Sequence, residues 1–219
     1  MIIYECIQGA ATFCKGRQPS FICTLRRKFM NTVLILLSEP FADWEAAYIC
    51  PELNKLEDYE IKTVSLSKAP VTTMGGLKVL PDYDIDNIPE NINIKLLLIP
   101  GGLSWDNTEY KKYCKIIRYC LENNILTAAI CNGVTFLADN GFLDNRRHTG
   151  NTLEYLKQYA PAYKGDKEYV ESQSFIYENL ITANGSAAVE FSRDILKKLN
   201  IFSPEELENW FYMYKKGFL

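Results

Sequence analysis

The chain has 219 residues, 47% hydrophobic and 23% charged, with 24 Lys and Arg against 27 Asp and Glu for a net charge of -3. Such a composition suits one α/β-sized soluble domain with a substantial core. It offers no electrostatic case for nucleic acid or an anionic membrane, and no apolar run approaches the ~18 residues that span a bilayer. Seven cysteines and one histidine, with no CxxC spacing, leave little material for a disulfide framework or a zinc site. The expectation is a reduced, cytoplasmic protein without metal or cofactor.

Residues 1–29 hold Cys6, Cys14 and Cys23 but show no sustained period of helix or strand. They make a poor secretory signal, because Arg26, Arg27 and Lys28 follow the apolar residues instead of preceding them. Two readings stay open. Arg-Arg-Lys-Phe-Met can be encoded as a purine-rich ribosome-binding sequence ahead of a start codon, which would make Met30 the initiator. The other is a loosely packed extension. The expected organisation is an extension at 1–30, a domain at 31–201 and an appended C-terminal helix at 202–219.

From Asn31 the signals become regular. Residues 32–37 form a continuous apolar strand, and 41–48 begin a helix rich in Trp, Ala and Glu. Residues 59–66 alternate like a strand, and 71–81 carry Gly75 and Gly76 in a hairpin excursion. Residues 94–99 are another buried strand, ended by Pro100, Gly101 and Gly102. Asp106 with Glu109 suggests a capping box, opening a helix whose inward face carries Tyr110, Tyr113, Cys114, Ile117, Cys120 and Leu121. The run 125–130 reads as a buried parallel strand, and Val134, Leu137 and Ala138 follow it at helical spacing. Residues 179–182 lead through Asn184 and Gly185 into a helix over about 186–199, and Ser203, Pro204 and Glu206 cap a last helix. Strands alternating with helices predict a three-layer α/β/α sandwich on a mainly parallel sheet with right-handed crossovers. Ligands in such folds bind beyond the carboxyl ends of the strands, where the turn after Leu37, the Pro-Gly-Gly turn and Cys131 all fall.

Cys131 lies in a tight strand-to-helix turn, a device that lifts a nucleophile above the sheet edge. A helix N-terminus there favours thiolate over thiol. Backbone amides at Asn132 and Gly133, with Gly101 and Gly102 at the neighbouring strand end, are placed to hold an oxyanion. His148 follows the cysteine's helix and is the one imidazole available for a Cys–His pair, against the alternative of a surface histidine in a polar loop. Glu45 sits among Trp44, Ala46 and Ala47, where a protonated carboxyl can donate to a thiolate or act as acid and base.

The pieces Val33–Leu36 with Phe41–Glu45, Leu98–Gly102, Ala129–Gly133, Gly141–Asp144 with His148–Asn151, and Leu180–Gly185 with Glu190 and Phe191 resemble the DJ-1/PfpI (ThiJ/PfpI) family. That family belongs to the class I glutamine amidotransferase-like superfamily, and the resemblance covers about residues 31–199. It implies a flavodoxin-like fold, an elbow cysteine as the reactive residue, a glutamate after the first strand that hydrogen-bonds it, and an assisting histidine. These roles carry over to Cys131, Glu45 and His148. No histidine follows His148, so the late His-x-Glu pair of true amidotransferases is absent, and Asn132 stands where the family's proteases place histidine.

The leading expectation is a cysteine-dependent enzyme acting on a small carbonyl or acyl compound, by glyoxalase-like chemistry or hydrolysis of a small amide. A redox sensor working through oxidation of Cys131 is the alternative, and a binding module that uses the turn's amides alone is a third. The resemblance also implies a homodimer. Trp210, Phe211 and Tyr212 offer apolar surface for that contact, unless the last helix packs on its own domain.

Overall fold

The computed structural model describes residues 30–218. The extension predicted at 1–30 therefore lies, Met30 apart, outside the described residues. A seven-stranded sheet runs through the centre, built from β1 (Asn31–Leu36), β2 (Tyr59–Ser65), β5 (Tyr83–Asp84), β6 (Ile94–Ile99), β7 (Leu126–Ile130), β8 (Ser174–Tyr177) and β9 (Leu180–Ala183). Its order is β5-β2-β1-β6-β7-β9-β8, and a separate hairpin pairs β3 (Val71–Thr72) with β4 (Lys78–Val79). Every pairing in the sheet is parallel except that of β8 with β9.

The apolar runs of β1, β6 and β7 follow from burial on both faces. In β1, Val33 and Ile35 face one core while Leu34 and Leu36 face the other, as the two-residue period of a strand dictates. The first core packs under α1 (Ile49–Asn54), α5 (Ala188–Leu199) and α6 (Pro204–Lys216) through Leu53, Phe191, Ile195 and Trp210. The second packs under α2 (Cys114–Glu122), α3 (Asn132–Asp139) and α4 (Leu153–Tyr159) through Ile117, Leu137 and Leu156. The result is the three-layer sandwich. Among the described residues no helix is long and apolar enough to cross a membrane.

Several local expectations are corrected. Residues 41–48 do not begin a long helix; they make a short 3-10 turn, Asp43–Glu45, before α1. The cap near 106 is Asn107, whose side chain accepts from Glu109 N, and it opens a 3-10 helix (Thr108–Tyr113) that runs into α2. Cys120 is buried there, whereas Cys114 is half-buried. The Ser203 capping box forms, with Glu206 reaching back to the cap. Trp210 is 7% exposed, so α6 spends that ring on its own domain. Phe211 lies under the Arg193 guanidinium, 4.4 Å from ring centroid to carbon, and Tyr212 is exposed. Edge strand β8 and helix α4 carry no strong period in the sequence that would announce them.

Candidate active site

The carboxyl ends of four adjacent parallel strands, β1, β6, β7 and β9, bring together the turn at 38–45, Gly101 and Gly102, Cys131, and Asn184 with Gly185. Phe41 bridges Gly102, and Ala42 N donates to Gly101 O at 2.9 Å, so the first turn is stitched onto the second. This pairing carries Glu45 over the end of β6.

Cys131 joins β7 to α3 with φ 57 and ψ -127. A positive φ is strained for a residue with a Cβ, at about 1–3 kcal/mol, and persists where the surroundings over-determine it. Here β7 fixes one side, Cys131 N donates to Ala183 O at 3.0 Å, and Cys131 O accepts from Val134 N to start α3. The half-buried side chain is packed between two glycines. A Cβ on Gly101 would lie 3.1 Å from the sulfur and 2.7 Å from Cys131 Cβ, and one on Gly185 would lie 2.8 Å from the sulfur. Neither position admits a side chain while the sulfur stays in place.

Glu45 is 1% exposed. Its Oε2 accepts from Gly101 N at 2.5 Å, and Oε1 is buried with no hydrogen-bond partner among the described residues. The carboxyl lies against the Cys131 thiol, near enough that each group shifts the other's titration. Burial drives the Glu45 pKa from 4.5 up to about 7, against the opposing pull of the Gly101 and Cys131 hydrogen bonds. Burial first, and the Glu45 charge second, push the Cys131 thiol up to about 11. The two groups titrate as one pair, which holds a single proton between those values. When that proton sits on Glu45, repulsion of the thiolate is replaced by donation to it. Asn132 N–H and the Asn151 side chain also favour the thiolate, with Asn151 Nδ2 at 3.8 Å from Sγ.

The remaining expected residues fall differently. The Gly101 amide is taken by Glu45, so it is not available to an oxyanion. Gly102 presents its carbonyl to Asn132 Nδ2 at 2.8 Å, which fixes the side chain of the residue after the cysteine. His148 is not brought to the sulfur. It is fully buried, with Nδ1 2.6 Å from Arg146 O and Nε2 2.7 Å from Tyr163 Oη. Burial lowers its pKa, so the ring is held neutral as a structural cross-link.

Three residues without an expected role complete the site. Asn151 accepts from Gly185 N at 2.9 Å while its amide nitrogen faces the sulfur, so it ties β9 to Cys131. Tyr155 Oη donates to Asn132 Oδ1 at 2.8 Å. Gly185 closes the side opposite Gly101. Asn184 and Gly185 end a strand just as Pro100-Gly-Gly does, and that parallel is the signal the sequence offers for them. Asn151 ends the His148–Asn151 piece of the family resemblance, and Tyr155 has no signal beyond nearness to it.

A mainly parallel α/β sandwich with one strained cysteine at its carboxyl edge, beside a buried carboxyl from the turn after the first strand, defines the structural class. The DJ-1/PfpI family model matches residues 31–198. The chain belongs to the DJ-1/PfpI family. It is 41% identical over 189 residues to a Bacillus subtilis protein named "Uncharacterized protease YdeA", covering 86% of this chain and 93% of that one. A second B. subtilis relative, "Uncharacterized protease YoaZ", is 33% identical over 190 residues, covering 84% and 90%. Among solved structures, a thiJ/pfpI family protein from Bacillus anthracis superposes with a TM-score of 0.79 at 34% identity, covering 85% of this chain and 92% of that one. The DJ-1 superfamily protein Atu0886 from Agrobacterium tumefaciens gives 0.75 at 34% identity, covering 85% and 99%.

Proposed function

We propose that this chain is a cysteine-dependent enzyme acting on a small carbonyl or acyl compound. The observation that carries the reading is the buried Glu45 carboxyl paired with the Cys131 thiol. The thiol proton passes to Glu45, and the sulfur lone pair forms a bond to the electrophilic carbon. The carbonyl π electrons move to oxygen, held by the Asn132 and Gly102 amides, and Glu45 returns the proton to that oxygen or to a leaving group. His148 is given no part in this scheme, because both its ring nitrogens are engaged elsewhere. A homodimer in a reducing cytoplasm belongs to the same proposal, and sedimentation at the mass of one copy would remove the dimer.

Turnover of a panel of small dicarbonyls, amides and thioesters tests the reading. Cys131→Ser with a retained melting temperature should abolish it; undiminished turnover in that variant overturns the reading. A second reading is supported by the three donors around the sulfur, the Asn132 amide, Asn151 Nδ2 and a protonated Glu45, which would also hold an oxidised sulfur. Mild peroxide followed by peptide mass spectrometry separates the two: Cys131 should gain oxygen before Cys50, Cys114 or Cys120 if the site senses oxidants.

A further inference from the structure

A groove of about 450 Å³ begins at Asn132, the residue after the sulfur-bearing cysteine. Buried Trp105 and Phe136 form its floor, and the more exposed Tyr155 and Tyr159 stand at its side. Trp105 packs on Phe136 with ring centroids 4.8 Å apart, and Tyr155 packs on Tyr159 at 4.5 Å. Tyr155 is shared by groove and site: its hydroxyl donates to Asn132, it hydrogen-bonds Asn151, and it lies within electrostatic reach of Cys131.

The charge in the groove has one sign. Asp106 and Asp139 line it, and among the described residues no lysine, arginine or histidine does. Asp139 is held in place by Ala162 N, which donates to its Oδ1 at 3.1 Å. An anionic substrate entering here would meet two carboxylates and no counter-charge. A cation would meet both carboxylates beside the accessible rings of Tyr155 and Tyr159, since aromatic rings attract positive charge through their quadrupoles.

Resting on the cysteine chemistry proposed above, we infer that the substrate is a cationic carbonyl or acyl compound. Its ammonium-type group lies in the groove between Asp106 and Asp139, and its electrophilic carbon reaches back past Asn132 to Cys131. Compounds carrying carboxylate or phosphate on that arm are excluded.

Matched methanethiosulfonate reagents, one bearing trimethylammonium and one bearing sulfonate, test this on the intact protein. In each reaction the Cys131 thiolate attacks the reagent's sulfenyl sulfur, forms a disulfide and releases methanesulfinate. Rates at Cys131, read by peptide mass spectrometry, are divided by those for N-acetylcysteine. The normalised preference for the cation should be about tenfold or more. It should fall back toward the free-thiol value in the double variant Asp106→Asn with Asp139→Asn, which keeps the oxygen accepting from Ala162 N and whose melting temperature checks the fold. No normalised preference, or one that survives both substitutions, overturns the inference. A Cys131 inert to both reagents overturns the cysteine chemistry itself.

Discussion

Replacing Glu45 by glutamine isolates the energetic cost of keeping a carboxyl in this place. The substituted side chain retains an oxygen to accept from Gly101 N, so the contact made by Oε2 survives, while the titratable proton is lost. In the native chain, burial raises the pKa from 4.5 to about 7. At ~1.4 kcal/mol per pKa unit the shift is worth ~3 kcal/mol, with little screening to subtract because Glu45 is 1% exposed. The sign follows from proton counting. Between pH 4.5 and about 7 the folded chain keeps a proton that the unfolded chain has released. Native stability therefore falls by ~3 kcal/mol as pH rises through that window. Urea unfolding of both proteins at pH 4, 5, 6, 7 and 8 reads the difference directly. Glu45→Gln should gain on the native chain by ~3 kcal/mol across the series. A difference independent of pH would refute the raised carboxyl and, with it, the shared proton.

Three further outcomes follow from the contacts. His148→Leu leaves Arg146 O and Tyr163 Oη without their partner and should cost about 2–4 kcal/mol in chemical denaturation; Cys131 alkylation should change less than about twofold, and its loss would restore the imidazole to the mechanism. Asn151→Ala strands Gly185 N and removes a donor from the sulfur, so it should cost about 1–2 kcal/mol and slow Cys131 alkylation near neutral pH; an unaltered alkylation profile would exclude Asn151 from the site. Gly185→Ala puts a Cβ 2.8 Å from the sulfur and should cost about 1–3 kcal/mol, read as a drop in melting temperature. A melting temperature equal to the native one would show the sulfur to be mobile.

The strands are legible because burial on both faces writes short continuous apolar runs, as in β1, β6 and β7, and a chain of such runs alternating with helices admits few topologies. The strand-end turn at Cys131 is legible for the same reason, since a lone cysteine between a buried run and a helical pattern has one place to go. What a linear pattern does not carry is partnership across the sheet edge. His148 follows Cys131 closely in the chain, yet Tyr163, fifteen residues on, captures its Nε2. Gly101 reads as an oxyanion donor in the sequence, but the pairing of Phe41 with Gly102 brings Glu45 onto its amide. Asn151 reaches the sulfur because β9, on the far side of β7, positions Gly185 to hold its oxygen. The edge strand β8, half-buried along its whole length, has neither an apolar run nor a clean alternation to announce it.

The rate of Cys131 alkylation by iodoacetamide as a function of pH, in the native chain and in Glu45→Gln, tests the shared proton most directly. The pair should lose its first proton near 7 and its second near 11. The native rate should accordingly rise near neutral pH, level off while one proton is shared, and rise again in strong alkali. The amide of the Glu45→Gln variant cannot take the proton, so that protein should show one ionisation and no neutral plateau. A single ionisation above about pH 9, the same in both proteins, would mean that Cys131 is an ordinary buried thiol.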